Sequence, residues 1–91
     1  MFKDLEELIA IIRQRKESFI EESYTSKLLK NKTLSIEKVK EEIAELIDAI
    51  QKNTNKIHEA ADVLYHFMVL LESNDIKIED VMDELKKRKK K

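Results

Sequence analysis

The 91-residue sequence contains no glycine, no proline and no cysteine. Sheet proteins rely on turns with positive φ, which glycine usually supplies, so this absence argues against a chain rich in hairpins. It also excludes the glycine-rich loops that bind phosphate groups. Without cysteine, neither a disulfide framework nor a thiolate metal site can form. With 42% apolar and 41% charged residues, the composition indicates an all-α protein.

Charges of both signs balance, and long apolar runs are lacking. The formal net charge of −1 gives no general attraction to nucleic acid or to a membrane surface. No apolar run approaches the ~20 residues that span a bilayer, and no signal pattern is visible. We therefore expect a cytoplasmic protein with a single domain over residues 1–91. The basic residues 86–91 could touch RNA, but a frayed, solvated tail is the expected state.

Apolar residues that recur every three to four positions predict an antiparallel helical bundle with about four main helices. These helices are expected at residues 2–19, 35–52, 56–72 and 78–88. Hydroxyl side chains interrupt the pattern at 21–29, which predicts an irregular linker with about one helical turn. Ser35 is the expected N-cap of the second helix. Because so short a chain buries limited surface, the bundle is expected to complete its core in an oligomer.

The second predicted helix has two chemically distinct faces. Its expected core stripe is apolar and comprises Ile36, Val39, Ile43, Leu46, Ile47 and Ile50. At 100° per residue, a common arc on the other side carries Lys38, Glu41, Glu42 and Glu45. A charged arc is usually only the solvated face of a helix, so alone it is weak support for a metal site.

The third predicted helix is apolar almost all round in its second half, which indicates burial. Its polar residues Glu59, Asp62 and His66 therefore need partners. The short turn at 53–55, whose asparagines can adopt the left-handed conformation that ends helices, makes this helix the antiparallel neighbour of the second. Glu45 and Asp62 lie at similar distances from that turn. The pairs Glu42/Glu45 and Glu59/Asp62 are thus predicted to converge on one divalent cation.

A cluster of four or five carboxylates without cysteine suits Mg²⁺ or Mn²⁺ far better than Zn²⁺. Such an ion can neutralise a polyphosphate and align an attacking water, which predicts metal-assisted hydrolysis of a phosphoanhydride. Glu41 is a candidate for orienting or deprotonating that water. His66 could support Asp62 from one helical turn away, or it could be an ordinary core histidine with satisfied hydrogen bonds. His58 is expected to be exposed.

Two other polar features allow a functional and a structural interpretation. Ser23, Tyr24, Thr25 and Lys27 could contact a sugar or a phosphate, but capping of the short helical turn by Ser23 or Thr25 is the simpler interpretation. Arg13 could bind a phosphate, but a place on a solvated helix face is the simpler one.

Four segments, in this order and spacing, cover essentially the whole chain: SYTSKLL at 23–29, KVKEEIAE at 38–45, EAADVLYH at 59–66 and DVMDEL at 80–85. Together they resemble the phosphoribosyl-ATP pyrophosphatase family, which carries out the second step of histidine biosynthesis. The Glu-Glu-x-x-Glu and Glu-x-x-Asp motifs are shared more widely, with the MazG-type all-α nucleotide pyrophosphohydrolases. The first and third segments narrow the resemblance to the histidine pathway.

The resemblance implies hydrolysis of phosphoribosyl-ATP, a small-molecule nucleotide, to phosphoribosyl-AMP and pyrophosphate by a helical homodimer that uses Mg²⁺. It implies the metal ligands Glu42, Glu45, Glu59 and Asp62, and these with Glu41 form the expected catalytic set. The expected substrate-binding residues are Ser23, Tyr24, Thr25, Lys27, Lys38 and His66.

The sequence departs from the family pattern at two points. Lys40 stands where the family usually has glycine, and residues 33–35 read Thr-Leu-Ser where it tends to carry an arginine. Two alternative functions stay open at this stage. One is a MazG-type enzyme that hydrolyses other nucleoside triphosphates, and the other is a non-catalytic helical dimerisation module.

Overall fold

The computed structural model describes residues 1–89 as five α-helices, with no strand in that part of the chain. The helices are α1 (Lys3–Glu17), α2 (Tyr24–Lys30), α3 (Lys32–Lys52), α4 (Lys56–Ser73) and α5 (Ile78–Arg88). The all-α prediction is confirmed, and the helical turn expected in the linker is the seven-residue α2. The expected tail at 86–91 is helical as far as Arg88, and Lys90 and Lys91 lie outside the described residues.

The apolar core joins α1, α2 and the second half of α4. Leu34 of α3 and Ile78 and Val81 of α5 pack against it. Full burial of an aliphatic side chain stabilises by roughly 1.5–3 kcal/mol, so this cluster is the main attraction between helices that are distant in sequence. Its buried members are Ile9, Ile12, Leu28, Met68, Val69 and Leu71.

Polar side chains cap the helices on either side of α2. Ser23 Oγ accepts a hydrogen bond from the Ser26 amide at 3.1 Å and caps α2. Asn31 ends α2 and also caps α3, because its side-chain oxygen accepts from the Leu34 amide at 3.0 Å. The prediction that Ser35 caps this helix is therefore wrong, and Ser35 is buried one turn inside it. Asparagine caps a helix as well as serine does, so the earlier polar residue starts the helix.

A tight asparagine turn joins α3 and α4 into the longest antiparallel hairpin of the fold. Asn53 (φ 56°) and Asn55 (φ 49°) both lie in the left-handed region, and asparagine is among the few residues that tolerate it. The Thr54 amide donates to the Ala49 carbonyl at 3.0 Å and closes the end of α3. The predicted chain reversal at 53–55 is confirmed, and it sets the two acidic segments side by side.

The buried face of α3 differs from the predicted one. Its buried residues are Ser35, Val39, Glu42 and Ala49, whereas Ile36, Ile43, Ile47 and Ile50 are 42–56% exposed. At 100° per residue the two sets are centred roughly a quarter turn apart. Two of the four buried residues, Ser35 and Ala49, have small side chains, which permit close packing between helices. The expected isoleucine stripe is thus a surface of the isolated chain.

The first half of α4 is also more open than its sequence indicates. Ile57 is 88% exposed and Leu64 is 44% exposed, although both belong to the expected core stripe of this helix. Met68 and Leu71, on the same stripe, are buried in the second half. Within residues 1–89, no helix combines the length and the apolar character that a membrane crossing requires.

Helix α5 is attached mainly through its first turn. None of the residues in the described helix Ile78–Arg88 is fully buried. Arg13 of α1 donates two hydrogen bonds to the Glu79 carboxylate, at 2.7 and 3.0 Å, and a third to the buried Glu72 at 3.0 Å. Arg13 is therefore a structural ion-pair residue that joins α1, α4 and α5, and it is neither on a merely solvated face nor free for a phosphate.

We expect Glu79→Gln to lower the thermal midpoint by a few degrees at low salt, because it removes the bidentate pair with Arg13. The pair lowers the pKa of Glu79 to about 2 from an ordinary 4.5. Its contribution is therefore present above pH 4.5 and is lost as the pH falls toward 2. Calorimetry from pH 6 to pH 2.5 should show the difference between wild type and variant shrinking.

The matched control is Glu84→Gln, which removes a pair with Arg88 inside α5 at 3.1 Å and leaves the attachment to α1 intact. A difference between wild type and Glu79→Gln that stays constant over the whole pH range would contradict the assignment.

A candidate divalent-metal site

Three carboxylates from α3 and α4 meet inside the hairpin. Glu42 and Glu45 lie on α3, and Glu59 lies on α4. One oxygen from each of the three carboxylates lies within 4.8 Å of the oxygens from the other two. The spacing of three residues puts Glu42 and Glu45 on one side of their helix, and the asparagine turn sets Glu59 opposite. The structure thus brings together three of the four predicted metal ligands.

Like charges lie close together in this cluster, and part of it is buried. Burial raises the pKa of Glu42, and a hydrogen bond and the like charge of Glu45 raise it further, while His66 partly offsets the effect. Glu42 Oε2 and Glu59 Oε2 are both inaccessible to water and have no hydrogen-bond partner. Buried carboxylate oxygens without a partner are costly, so these two atoms are the ones that a positive ion would stabilise.

Asp62 lies one turn beyond Glu59, at the edge of this cluster. Asp62 Oδ2 is 3.4 Å from His58 Nε2, and these two residues form a second close group with Glu59. His58 is exposed, as predicted. Glu59 belongs to both groups and so links Asp62 to the α3 carboxylates.

Glu41 faces a groove outside the three-carboxylate cluster. Its carboxylate is 3.5 Å from Lys38 Nζ, one turn earlier on α3, and this charge raises the pKa of Lys38. The groove is open, has a volume of about 540 Å³, and lies at the turn end of the hairpin. It is lined by Glu41, Ala44, Glu45, Asp48, Ala49, Thr54, Asn55 and Glu59. An open groove therefore adjoins the carboxylates.

Tyr24 and His66 connect α2 to the same region. The Tyr24 hydroxyl lies 3.1 Å from His66 Nε2, and His66 Nδ1 lies 2.8 Å from the Asp62 carbonyl oxygen. Burial raises the pKa of Tyr24, and Lys38 partly opposes that rise. His66 is buried with both ring nitrogens in hydrogen-bond distance of a partner, which fits the interpretation of a satisfied core histidine.

A second hydrogen bond between α2 and α4, from Thr25 to Tyr65 or the reverse, was not predicted from the sequence. The Thr25 hydroxyl and the Tyr65 hydroxyl lie 2.5 Å apart. Consecutive residues of α2 thus meet consecutive residues of α4. The signal in the sequence is the polar pair Tyr65-His66 inside an otherwise apolar helix, because buried polar groups need partners. Of the other expected substrate residues, Ser23 caps α2 and Lys27 is exposed on it.

The donor set fits a hard divalent cation. All three clustered ligands are carboxylates, two of their oxygens lack partners, and an open groove leaves room for water and substrate. Mg²⁺ prefers oxygen ligands, typically binds one or two carboxylates and keeps coordination positions for water and phosphate. Such a cluster is compatible with chemistry in which a bound divalent cation acts on a phosphate group in the adjoining groove.

The sequence matches the family described as phosphoribosyl-ATP pyrophosphohydrolase over residues 5–89. The chain therefore belongs to that family, and the family resemblance drawn from its motifs is confirmed. It is 46% identical to the phosphoribosyl-ATP pyrophosphatase of Clostridium novyi, over 96% of this chain and 82% of the relative. It is 39% identical to the enzyme of the same name from Haloarcula marismortui, over 93% of this chain and 92% of the relative.

A longer relative is similar over part of its length. The histidine biosynthesis bifunctional protein of Pyrococcus furiosus is 48% identical over 94% of this chain. The chain spans 41% of that relative's length.

We expect Glu42→Gln to raise the thermal midpoint of the metal-free protein at pH 7 by a few degrees. The fold raises the pKa of Glu42, so the cost of its carboxylate appears as the pH rises above the ordinary 4.5, and a neutral amide avoids it. Melting with a chelator tests this. Added Mg²⁺ should then raise the midpoint of wild type more than that of the variant.

Glu7→Gln, which neutralises an exposed carboxylate on α1, is the control for the loss of one negative charge. A Glu42→Gln protein that melts below wild type in chelator would mean that the carboxylate is already satisfied within the protein.

Proposed function

We propose that the chain hydrolyses the α–β phosphoanhydride bond of phosphoribosyl-ATP in the cytoplasm, using Mg²⁺ held by the acidic cluster. Membership of the family and the names of its relatives support the reaction, the second step of histidine biosynthesis. The observation that carries the metal dependence is the pair of buried, partnerless oxygens on Glu42 and Glu59. Water supplies the new P–O bond, the bridging P–O bond breaks, and the products are phosphoribosyl-AMP and pyrophosphate.

In this proposal the carboxylates hold the ion and a neighbouring acid handles the proton. Glu42, Glu45, Glu59 and Asp62 would hold Mg²⁺, or Mn²⁺ in its place, and the bound ion supplies charge neutralisation and orientation of the polyphosphate. We assign to Glu41 the acceptance of a proton from the attacking water. Its exposure beside the groove supports this role, because a general base must reach that water.

Positive charge for the substrate comes from lysines in this proposal. Lys38 beside Glu41 and exposed Lys27 on α2 can attract phosphate oxygens, and Lys38 can serve where the family tends to carry an arginine. Substrate contact by Ser23 and Thr25 stays a prediction, whereas the Tyr24 hydroxyl and both ring nitrogens of His66 have partners within the protein.

We expect pyrophosphate release from phosphoribosyl-ATP to stop in chelator and to return with Mg²⁺. Glu59→Gln should lower kcat/KM at least 100-fold, since it removes the carboxylate shared by both acidic groups. Circular dichroism should show unchanged helix content. The exposed-carboxylate variant Glu7→Gln should keep wild-type turnover.

The same assay on a panel of ordinary and modified nucleoside triphosphates separates the pathway enzyme from a general house-cleaning pyrophosphohydrolase. Comparable turnover across the panel would favour the second. Turnover by Glu59→Gln at a near wild-type rate would refute the shared metal site.

We further propose that two chains associate through the exposed apolar side chains of α3 and α4. The isolated chain exposes 6,990 Å², against about 5,500 Å² for a compact monomer of this mass. Its radius of gyration of 14.3 Å likewise exceeds the roughly 12 Å expected. The excess area is larger than the ~800 Å² that each partner buries in a standard interface. The candidate interface residues are Ile36, Ile43, Ile47, Ile50, Ile57 and Leu64.

We expect Ile47→Glu to convert the protein to monomers, because a carboxylate at the centre of an apolar interface is costly to bury. Sedimentation at several concentrations measures this. The control is Ile11→Glu on α1, since Ile11 is 47% exposed and Ile47 is 51% exposed. Equal dissociation by both variants, or a monomeric wild type, would contradict the proposed interface.

A further inference from the structure

The side chains of Tyr24 and His66 define each other's hydrogen-bonding role. A carbonyl oxygen can only accept, so His66 Nδ1 must carry the proton that it shares with the Asp62 carbonyl at 2.8 Å. In the neutral imidazole, Nε2 is then an acceptor, and it accepts from the Tyr24 hydroxyl at 3.1 Å. The two hydrogen bonds therefore point in one direction: the Tyr24 hydroxyl of α2 donates to His66, and His66 donates to the backbone carbonyl of Asp62, a candidate metal ligand on α4.

The rings around this bond pack closely. The His66 ring stands edge-on to Tyr65, with centroids 4.9 Å apart, and edge-on to Tyr24 at 5.8 Å. The two tyrosine rings stack at 6.4 Å with an interplanar angle of 22°. Such arrangements are favourable for aromatic side chains. The Tyr24 hydroxyl is thus turned into the protein although its residue is 44% exposed.

Helix α2 depends on these contacts for its place. Seven residues are too few for a helix that is stable on its own in water, so tertiary contacts must hold it. Leu28 anchors its second half in the core, and the bonds of Tyr24 and Thr25 to α4 anchor its first turn. The first turn is the end that carries the candidate substrate residues.

We propose that His66 is a positioning residue: by accepting the Tyr24 hydrogen bond it fixes the first turn of α2 against the metal-binding hairpin, and so sets substrate affinity and not the chemical step. This inference rests on the proposed function. Both ring nitrogens of His66 have partners within the protein, so neither is free for the substrate. The Tyr24 hydroxyl donates its hydrogen bond to His66. The residues that bind the ion lie on α3 and α4, so loosening α2 leaves them in place.

A double-mutant cycle tests the proposal. Tyr24→Phe removes the hydroxyl, and His66→Asn keeps a donor near the Nδ1 position while removing the acceptor. Each should raise KM for phosphoribosyl-ATP roughly 3- to 10-fold, the range for a lost hydrogen bond, with kcat within about twofold of wild type. The double variant should be no worse than either single one, because both remove the same bond.

Rescue by the complementary variant adds a second arm. His66→Gln carries an oxygen near the Nε2 position, so it should keep most of the wild-type KM while losing the bond to Asp62. If the increases in KM from Tyr24→Phe and His66→Asn multiply in the double variant, the proposal is overturned. The Tyr24 hydroxyl would then act on the substrate independently of His66. A fall in kcat with unchanged KM would overturn it as well. Glu79→Gln, far from the site, controls for general destabilisation.

Nitrogen NMR of the His66 ring separates failure of this proposal from failure of the proposed function. Wild type should show the Nδ1–H neutral form, and its Nε2 signal should shift in Tyr24→Phe. Hydrogen exchange in the first turn of α2 should become faster in the same variant. These results are expected even if wild type does not hydrolyse phosphoribosyl-ATP. Their absence in an active enzyme would overturn the positioning role alone.

Discussion

The rest of the structure depends on the orientation of α3. This helix turns Glu42 toward α4 and leaves its isoleucines exposed. A buried carboxylate beside Glu45 and Glu59 opposes folding of the isolated hairpin, because like charges with unpartnered oxygens lie in a poorly solvated space. The apolar cluster of α1, α2 and the second half of α4 must offset that cost. A bound cation would neutralise the charge of these carboxylates and remove that cost. Metal affinity would therefore be coupled to the stability of the hairpin.

The two halves of α4 have different roles. Its second half buries Met68, Val69 and Leu71 in the core, whereas its first half carries Glu59 and Asp62 and leaves Ile57 almost fully exposed. The well-packed half therefore supports the half that carries the polar groups. The open apolar side chains lie on the two helices that carry the carboxylates, so an association that covers them would also brace the proposed metal site.

Much of the fold could be predicted from local patterns. Residues 78–88 have the predicted bounds of α5, and the left-handed Asn53 and Asn55 end one helix and begin the next. The orientation of α3 could not be predicted. Periodicity shows that a helix has an apolar and an acidic face, but it does not show which face meets the neighbouring helix. The proximity of Glu42, Glu45 and Glu59 followed from counting residues to the turn. The Arg13–Glu79 pair could not be foreseen, because it joins residues 66 positions apart.

The same limit applies to His66, for which the sequence allowed both a supporting role near Asp62 and a satisfied core histidine. In the structure both ring nitrogens of His66 have partners, and the bond with Tyr24 ties α2 to α4. A supporting role beside the proposed metal ion stays a prediction. A short helix held by Leu28 at one end and by hydroxyl contacts at the other can be adjusted without disturbing the core. In the proposed function, the metal-binding carboxylates and the substrate contacts of α2 would meet at α4, so substitutions in α2 would tune affinity while the carboxylates stay fixed.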